Sequence, residues 1–429
     1  MACVRPFSAL RYNVERFPDL AAVLAPPYDI INAAQQQALY YRDPHNVIRL
    51  EYGVQSPQDT PEDNRYTRAH ATLNTWCEEQ VLVQEARPAF YPHRQQFTWA
   101  GQTHARQGFF AAVELAPFDE GDVLPHEWTL KGPKDDRLKL MRACLASFSP
   151  IFGLYDGANS GIGELLERAT SQAPLATAHG EEFDEVLWRS EDAALNEAIA
   201  TALSQRQILI ADGHHRYETM LAMRDLLRTE FPDAPVTADL NYAFMLLVDL
   251  HDPGLLVLPT HRLLLLNAEM RSAFCRVASD HFTQEKLPDL RPDAVTDLLA
   301  RHEGEHAFLY YADHTFTLLT RPKVERNGLP LLDVMVLQED LIAPLLAADP
   351  AGVATLERNV RYTHDLDEAL AAVDSGEVQS AILLNPTPVQ DVLTLAAAGI
   401  RLPQKSTYFY PKVPTGLVMY NLRPEVTVG

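Results

Sequence analysis

The densest group of chemically useful side chains is Asp212-Gly213-His214-His215-Arg216. It follows a short apolar run, Gln207-Ile208-Leu209-Ile210-Ala211, whose strand-forming residues mark a buried strand. Beyond it Tyr217, Met220, Met223 (or Arg224), Leu227 and Phe231 recur at three to four residues until Pro232, the pattern of a helix. A strand that opens directly into a helix gathers backbone N–H groups and the positive end of the helix dipole at one point, which suits an anion. Gly213 allows close approach of a ligand, while His214, His215 and Arg216 add donors, Arg216 with a fork that matches phosphate oxygens. Asp212 belongs at such a turn if Mg²⁺ accompanies the phosphates and the carboxylate compensates its charge. A plainer reading stands beside this one: Asp212 caps the helix and the histidines make local bonds. Zinc is disfavoured, because adjacent His side chains diverge on either a strand or a helix.

Two more segments carry usable groups. In Leu124-Pro125-His126-Glu127-Trp128-Thr129 the carboxylate of Glu127 sits between apolar neighbours, where desolvation would raise its pKa and make it a better proton acceptor. The alternative is a solvated surface glutamate. In Lys405-Ser406-Thr407, with Lys412 nearby, hydroxyls and an ammonium alternate with Tyr408, Phe409 and Tyr410. That mixture suits a small polar substrate or a phosphate oxygen, or else a last core strand with aromatics packed inward.

The elements that must position these groups alternate along the chain, which predicts a mixed α+β protein of several domains. Residues 1–118 hold a turn at Pro26-Pro27-Tyr28-Asp29, a helix over Tyr66 to Gln80 built on Ala69, Leu73, Trp76 and Cys77, and strands over Pro88 to Leu115 joined at Ala100-Gly101. Asp29 and Glu51 are the carboxylates of interest there, with surface or turn roles expected. Residues 119–262 contain the Asp212 turn and a strand from Phe244 to Leu250, with Ser160 to Asp184 reading as a polar surface connection. Residues 263–429 alternate helices such as Leu332 to Leu346 and Leu366 to Val373 with strands such as Ala307 to Tyr311 and Ser380 to Leu384.

At 429 residues there is ample material for more than one core. The balance of 36 Lys plus Arg against 58 Asp plus Glu gives a net charge of −22, which argues against nucleic acid as the main partner. Cys3, Cys77, Cys144 and Cys275 lie far apart, at no zinc or redox spacing, and no apolar run reaches membrane-spanning or signal-peptide length. These features predict a soluble, cytoplasmic protein with no membrane partner; they leave its oligomeric state open.

Three landmarks in this order resemble the free-serine kinases, whose nucleotide domain is related to ParB and sulfiredoxin: Pro125-His126-Glu127, Ile210 to Arg216, and Leu402-Pro403-Gln404-Lys405-Ser406-Thr407. Across nearly its whole length the chain also resembles the group catalogued as domain of unknown function 1015. The marks of that group are Arg5-Pro6-Phe7, Ala25 to Asp29, Ser149-Pro150-Ile151-Phe152, Leu258 to Arg262 and Lys405 to Lys412.

The kinase resemblance implies a ParB/sulfiredoxin-like module over 119–262 and a C-terminal domain that contributes to the substrate site. It implies ATP or ADP as donor with Mg²⁺, and L-serine as acceptor. Glu127 becomes the general base, Asp212 a catalytic residue and metal ligand, and Gly213, His214, His215 and Arg216 the phosphate grip. His126, Lys405, Ser406 and Thr407 fall on the substrate side; the family's His two residues after that threonine is Phe409 here. The rival expectation is a ParB-like switch driven by CTP or ATP, or a metabolite-binding regulator without kinase activity. A sulfiredoxin-like thiol chemistry would need a cysteine in the turn, where His214 stands.

Overall fold

The computed structural model describes residues 3–129, 131–288 and 290–423. The protein is mixed α+β and divides into two compact units. The first comprises 1–125, 129–255 and 411–429; the second comprises 126–128 and 256–410.

The first unit is built on a nine-stranded sheet. In chain order its strands are β1 (Val4–Arg5), β2 (Tyr91–Trp99), β3 (Gln102–Glu114), β4 (Val123–Leu124), β5 (Ile151–Tyr155), β6 (Ala176–His179), β7 (Phe183–Leu187), β8 (Ile208–Asp212) and β9 (Tyr242–Asp249). Their order across the sheet is β4-β8-β5-β9-β3-β2-β7-β6, with β1 also paired to β3. Residues Tyr242 to Val248 of β9 are all buried, as a central strand covered on both faces requires. The β2–β3 hairpin turns at Ala100 and Gly101, with φ of 48° and 74°. Two left-handed residues in a two-residue loop match the twist of the strands they join.

Around this sheet lie α1 (Arg65–Glu78), α2 (Lys131–Cys144) and α3 (His214–Glu230). Of the predicted apolar stripes, Ala69, Leu73 and Trp76 on α1 and Tyr217, Met220, Met223 and Leu227 on α3 are buried, whereas Cys77 is only half-buried. Phe231 lies past the end of α3 and is exposed.

Two expectations about organisation differ from what the chain does. The boundary near residue 118 falls inside the first unit, because β3 hydrogen-bonds β2 on one side and β9 on the other, joining 1–118 and 119–255 in one sheet. The segment Ser160 to Asp184 is not merely a connection: it forms a helix, Ile162–Ala169, and supplies β6 and the start of β7 at the sheet edge. Edge strands carry polar residues on their open side, so their composition imitates a loop.

The second unit has a six-stranded antiparallel sheet and two separate two-stranded ribbons, the smaller of them joining Glu325–Arg326 to Leu329–Pro330. The strands of the sheet and the larger ribbon are β10 (Leu256–Leu258), β11 (His261–Leu264), β12 (Thr283–Leu287), β13 (Glu305–Ala312), β14 (Thr315–Pro322), β15 (Val360–Thr363), β16 (Ser380–Leu384) and β17 (Tyr408–Tyr410). The sheet order is β12-β14-β13-β16-β11-β15, and β10 pairs β17 in the larger ribbon. Leu263, Leu309, Tyr311, Phe316 and Leu383 form its core with Ala369 and Leu370 of α4 (Leu366–Asp374). The helix expected over Leu332 to Leu346 is present but passes through a π-helical stretch, Leu337–Ile342. Among the described residues, no helix is long and apolar enough to cross a membrane.

Candidate functional site

In the first unit β8 delivers the Asp212 turn. Ile208, Leu209, Ile210 and Ala211 are buried, and the register with β5 shifts between Ile210 and Asp212. Such an irregularity changes which way the following side chain is aimed. Gly213 then takes φ 93° and opens the seventeen-residue α3 without any capping side chain. A Cβ there would lie 3.0 Å from Arg216 Nε and Nη2, so the backbone angle and the neighbouring guanidinium both call for glycine. The reading of Asp212 as a helix cap is thereby corrected, since Gly213 is the N-cap and the carboxylate is used elsewhere.

Asp212 lies between two cations. Its Oδ2 accepts from Arg216 Nη2 at 2.7 Å and its Oδ1 from Lys412 Nζ at 2.6 Å. Arg216 is buried and also donates to the carbonyl of Pro150. Its fork therefore braces the turn from within. His214 is buried, while His215 is partly exposed.

Behind Pro150, Ser149 Oγ donates to Glu51 Oε1 at 2.8 Å, and Arg137 Nη1 donates to the Glu51 carbonyl and carboxylate at 2.8 and 3.1 Å. Glu51 is thus a buried anchor, contrary to the surface or turn role expected of it, and Asp29 is exposed. Burial pushes the Glu51 carboxyl up, against the opposing pull of Arg137 and Ser149.

In the second unit the predicted substrate-side residues come together. Glu127 Oε1 accepts the Ser406 N–H at 3.0 Å and Oε2 the Lys405 N–H at 3.3 Å. Lys405 takes a left-handed φ of 58°, which turns the two amides toward one carboxylate. His126 is buried, with Nε2 2.9 Å from Thr407 Oγ1 and its carbonyl accepting from Leu402 N at 2.7 Å. Ser406 is buried and its carbonyl accepts from Thr387. Phe409 is fully buried and meets the His126 ring edge-on at 6.2 Å, so the apolar residue at that position packs inward. Trp128 is 62% exposed, with Arg401 over its ring, while the Glu127 side chain is 18% exposed.

The C-terminal motif is divided between the units. Lys405, Ser406 and Thr407 join Glu127 in the second, whereas Lys412 joins Asp212 in the first. Reading Lys412 with its sequence neighbours missed this. The signal available was Pro411, which ends the aromatic strand. The residues that hold Lys412 in place were also missed: Gln95 and Arg106, which bond the carbonyls of Lys412 and Pro411. They lie in β2 and β3, more than 300 positions earlier in the chain.

Both carboxylate oxygens of Asp212 accept from cations, and among the described residues no group of three or more His, Cys, Asp or Glu side chains could hold a metal ion.

The family model described as "Protein of unknown function (DUF1015)" matches residues 4–337, and the chain belongs to that family. Among curated proteins nothing matches. Similar solved structures include a free serine kinase in complex with AMP, 12% identical, with a TM-score of 0.38 over 74% of this chain and 92% of that one. A mutant of a free serine kinase with ADP is 11% identical, with a TM-score of 0.39 over the same shares. A conserved hypothetical protein from Pyrococcus furiosus is 13% identical, with a TM-score of 0.37 over 74% and 95%. With TM-scores below 0.5, none of these likenesses bears on the activity of this chain.

Proposed function

We propose that the protein is a phosphotransferase that moves a phosphoryl group from an adenine nucleotide, ATP or ADP, to the hydroxyl of free L-serine. The observation that carries this reading is the mouth of α3. There a left-handed Gly213 with no capping side chain opens a long helix beside Asp212, Arg216 and Lys412. Backbone donors, a helix dipole and cations at one turn favour a polyphosphate.

The acceptor side of the proposal rests on Glu127. Its carboxylate is fixed by two amide donors, and Thr407 and His126 stand in the same cluster. A serine hydroxyl is a poor nucleophile at neutral pH, and a positioned carboxylate that takes its proton contributes roughly 10²- to 10⁴-fold. In the proposed step the serine oxygen forms a bond to the terminal phosphorus, the bond from that phosphorus to the rest of the nucleotide breaks, and the hydroxyl proton passes to Glu127. The turn from Gly213 to His215, braced by Arg216, aligns the phosphates, and Lys405, Ser406, Thr407 and His126 orient serine. Mg²⁺ would arrive with the nucleotide.

The test is to incubate the purified protein with ATP or ADP, Mg²⁺ and single amino acids, and to assay for O-phosphoserine. Formation of O-phosphoserine ahead of O-phosphothreonine or O-phosphohomoserine is expected. Nucleotide hydrolysis with no phosphorylated small molecule would replace this reading with a nucleotide-driven switch, and no nucleotide uptake at all would end both.

A further inference from the structure

We propose that Lys412 is a phosphate-binding residue of the Asp212 turn, held on the carboxylate until an anionic ligand takes its ammonium. This rests on the reading of that turn as a polyphosphate site. Lys412 Nζ lies 2.6 Å from Asp212 Oδ1, and the two side chains are 13% and 17% exposed. Arg216 occupies Oδ2. Two cations thus approach one carboxylate, on a chain whose net charge is −22. The positive end of the α3 dipole lies at the same turn.

The way Lys412 is held goes beyond what an ordinary surface ion pair requires. Arg106 Nη1 donates to the Pro411 carbonyl at 2.7 Å, and Gln95 Nε2 donates to the Lys412 carbonyl at 3.2 Å. Arg106 Nη2 also bonds Gln95 Oε1. Gln95 Nε2 reaches Glu185 Oε1 at 2.8 Å, and Glu185 Oε2 lies 2.6 Å from His93 Nε2. All four of these side chains are buried. Burial draws the Arg106 guanidinium down to about 10.

Taking polar and charged side chains out of water is costly. A buried network that converges on the backbone of one lysine makes physical sense when that lysine must be aimed. Lys412 also differs from Arg216 in what it can do. Arg216 is committed to Pro150 and Asp212 from a buried position, whereas an ammonium on a four-carbon stem can leave Asp212 for a phosphate oxygen while its backbone stays fixed.

Calorimetry of the full chain with AMP, ADP and ATP, on wild type, Lys412→Met and Lys412→Arg, tests this. A contact with phosphate grows in value with ligand charge. Lys412→Met should therefore weaken AMP by no more than about threefold and ATP by about 10- to 100-fold, with Lys412→Arg recovering most of the loss. Equal losses for the three nucleotides, or none, would overturn the proposal and leave Lys412 a brace for Asp212. If wild type itself takes up no nucleotide, the polyphosphate reading of the turn fails first.

A second measurement does not depend on Lys412→Met folding. In wild type with isotopically labelled lysine, the Lys412 Nζ resonance, assigned through Lys412→Arg, should move on addition of ATP and stay in place with adenosine. A resonance that ignores ATP at saturation also overturns the proposal.

Discussion

Replacing Glu127 by glutamine tests the acceptor side of the proposed reaction most directly. In the wild type each oxygen accepts one backbone N–H, from Ser406 at 3.0 Å and from Lys405 at 3.3 Å. Glutamine keeps one acceptor oxygen and turns an NH₂ group toward the other amide, so one charge-assisted bond is lost and two donors face each other. That costs about 1–3 kcal/mol of local stability, a shift visible in denaturant unfolding.

The chemical consequence is larger. With no carboxylate to take the hydroxyl proton, O-phosphoserine formation should fall by roughly 10²- to 10⁴-fold at saturating nucleotide, about 3–5 kcal/mol in barrier height. Nucleotide affinity should stay within about twofold by calorimetry. A base and a mere clamp on the Lys405–Ser406 turn are told apart by the pH profile of kcat/KM. Loss of the base removes the limb on which activity rises with pH, whereas loss of a clamp lowers the profile and keeps its shape. Turnover within about threefold of wild type would refute the role given to Glu127.

Three further outcomes follow from the same geometry. Gly213→Ala must place a Cβ at φ 93° and 3.0 Å from the Arg216 guanidinium, so it should lose about 1–3 kcal/mol in thermal unfolding and weaken ATP binding; unchanged stability would contradict the strain argument. Asp212→Asn leaves the buried Arg216 without its carboxylate and should cost about 3 kcal/mol in denaturant unfolding; a change in ATP affinity seen in Mg²⁺ and absent in chelator would make Asp212 a metal ligand, and an equal change in both would make it a brace for the turn. In the second unit, desolvation by burial, aided by Arg262 and His364, lowers His261 from 6.5 to about 4. The unfolded chain then binds more protons than the native one between those values, so stability falls as pH drops from about 6.5 to about 4, by up to about 3 kcal/mol. His261→Gln should flatten that part of the pH–stability curve, and parallel curves for the two proteins would show that His261 is not held neutral.

The sequence by itself determined what depends on neighbours along the chain. The apolar run Ile208 to Ala211 and the repeat Tyr217, Met220, Met223 and Leu227 fix strand, turn and helix, because burial on one face needs only the right period. Gly213 at the junction was legible for the same reason, and so was the turn at Ala100-Gly101. Tertiary structure decided what those residues face. That Lys412 reaches Asp212 while Lys405 to Thr407 gather on Glu127 depends on strand pairing and on Arg106 and Gln95, more than 300 positions away. The choice of partner at such range is made by which buried donors lack an acceptor once the sheets have formed. No local pattern of residues encodes that condition.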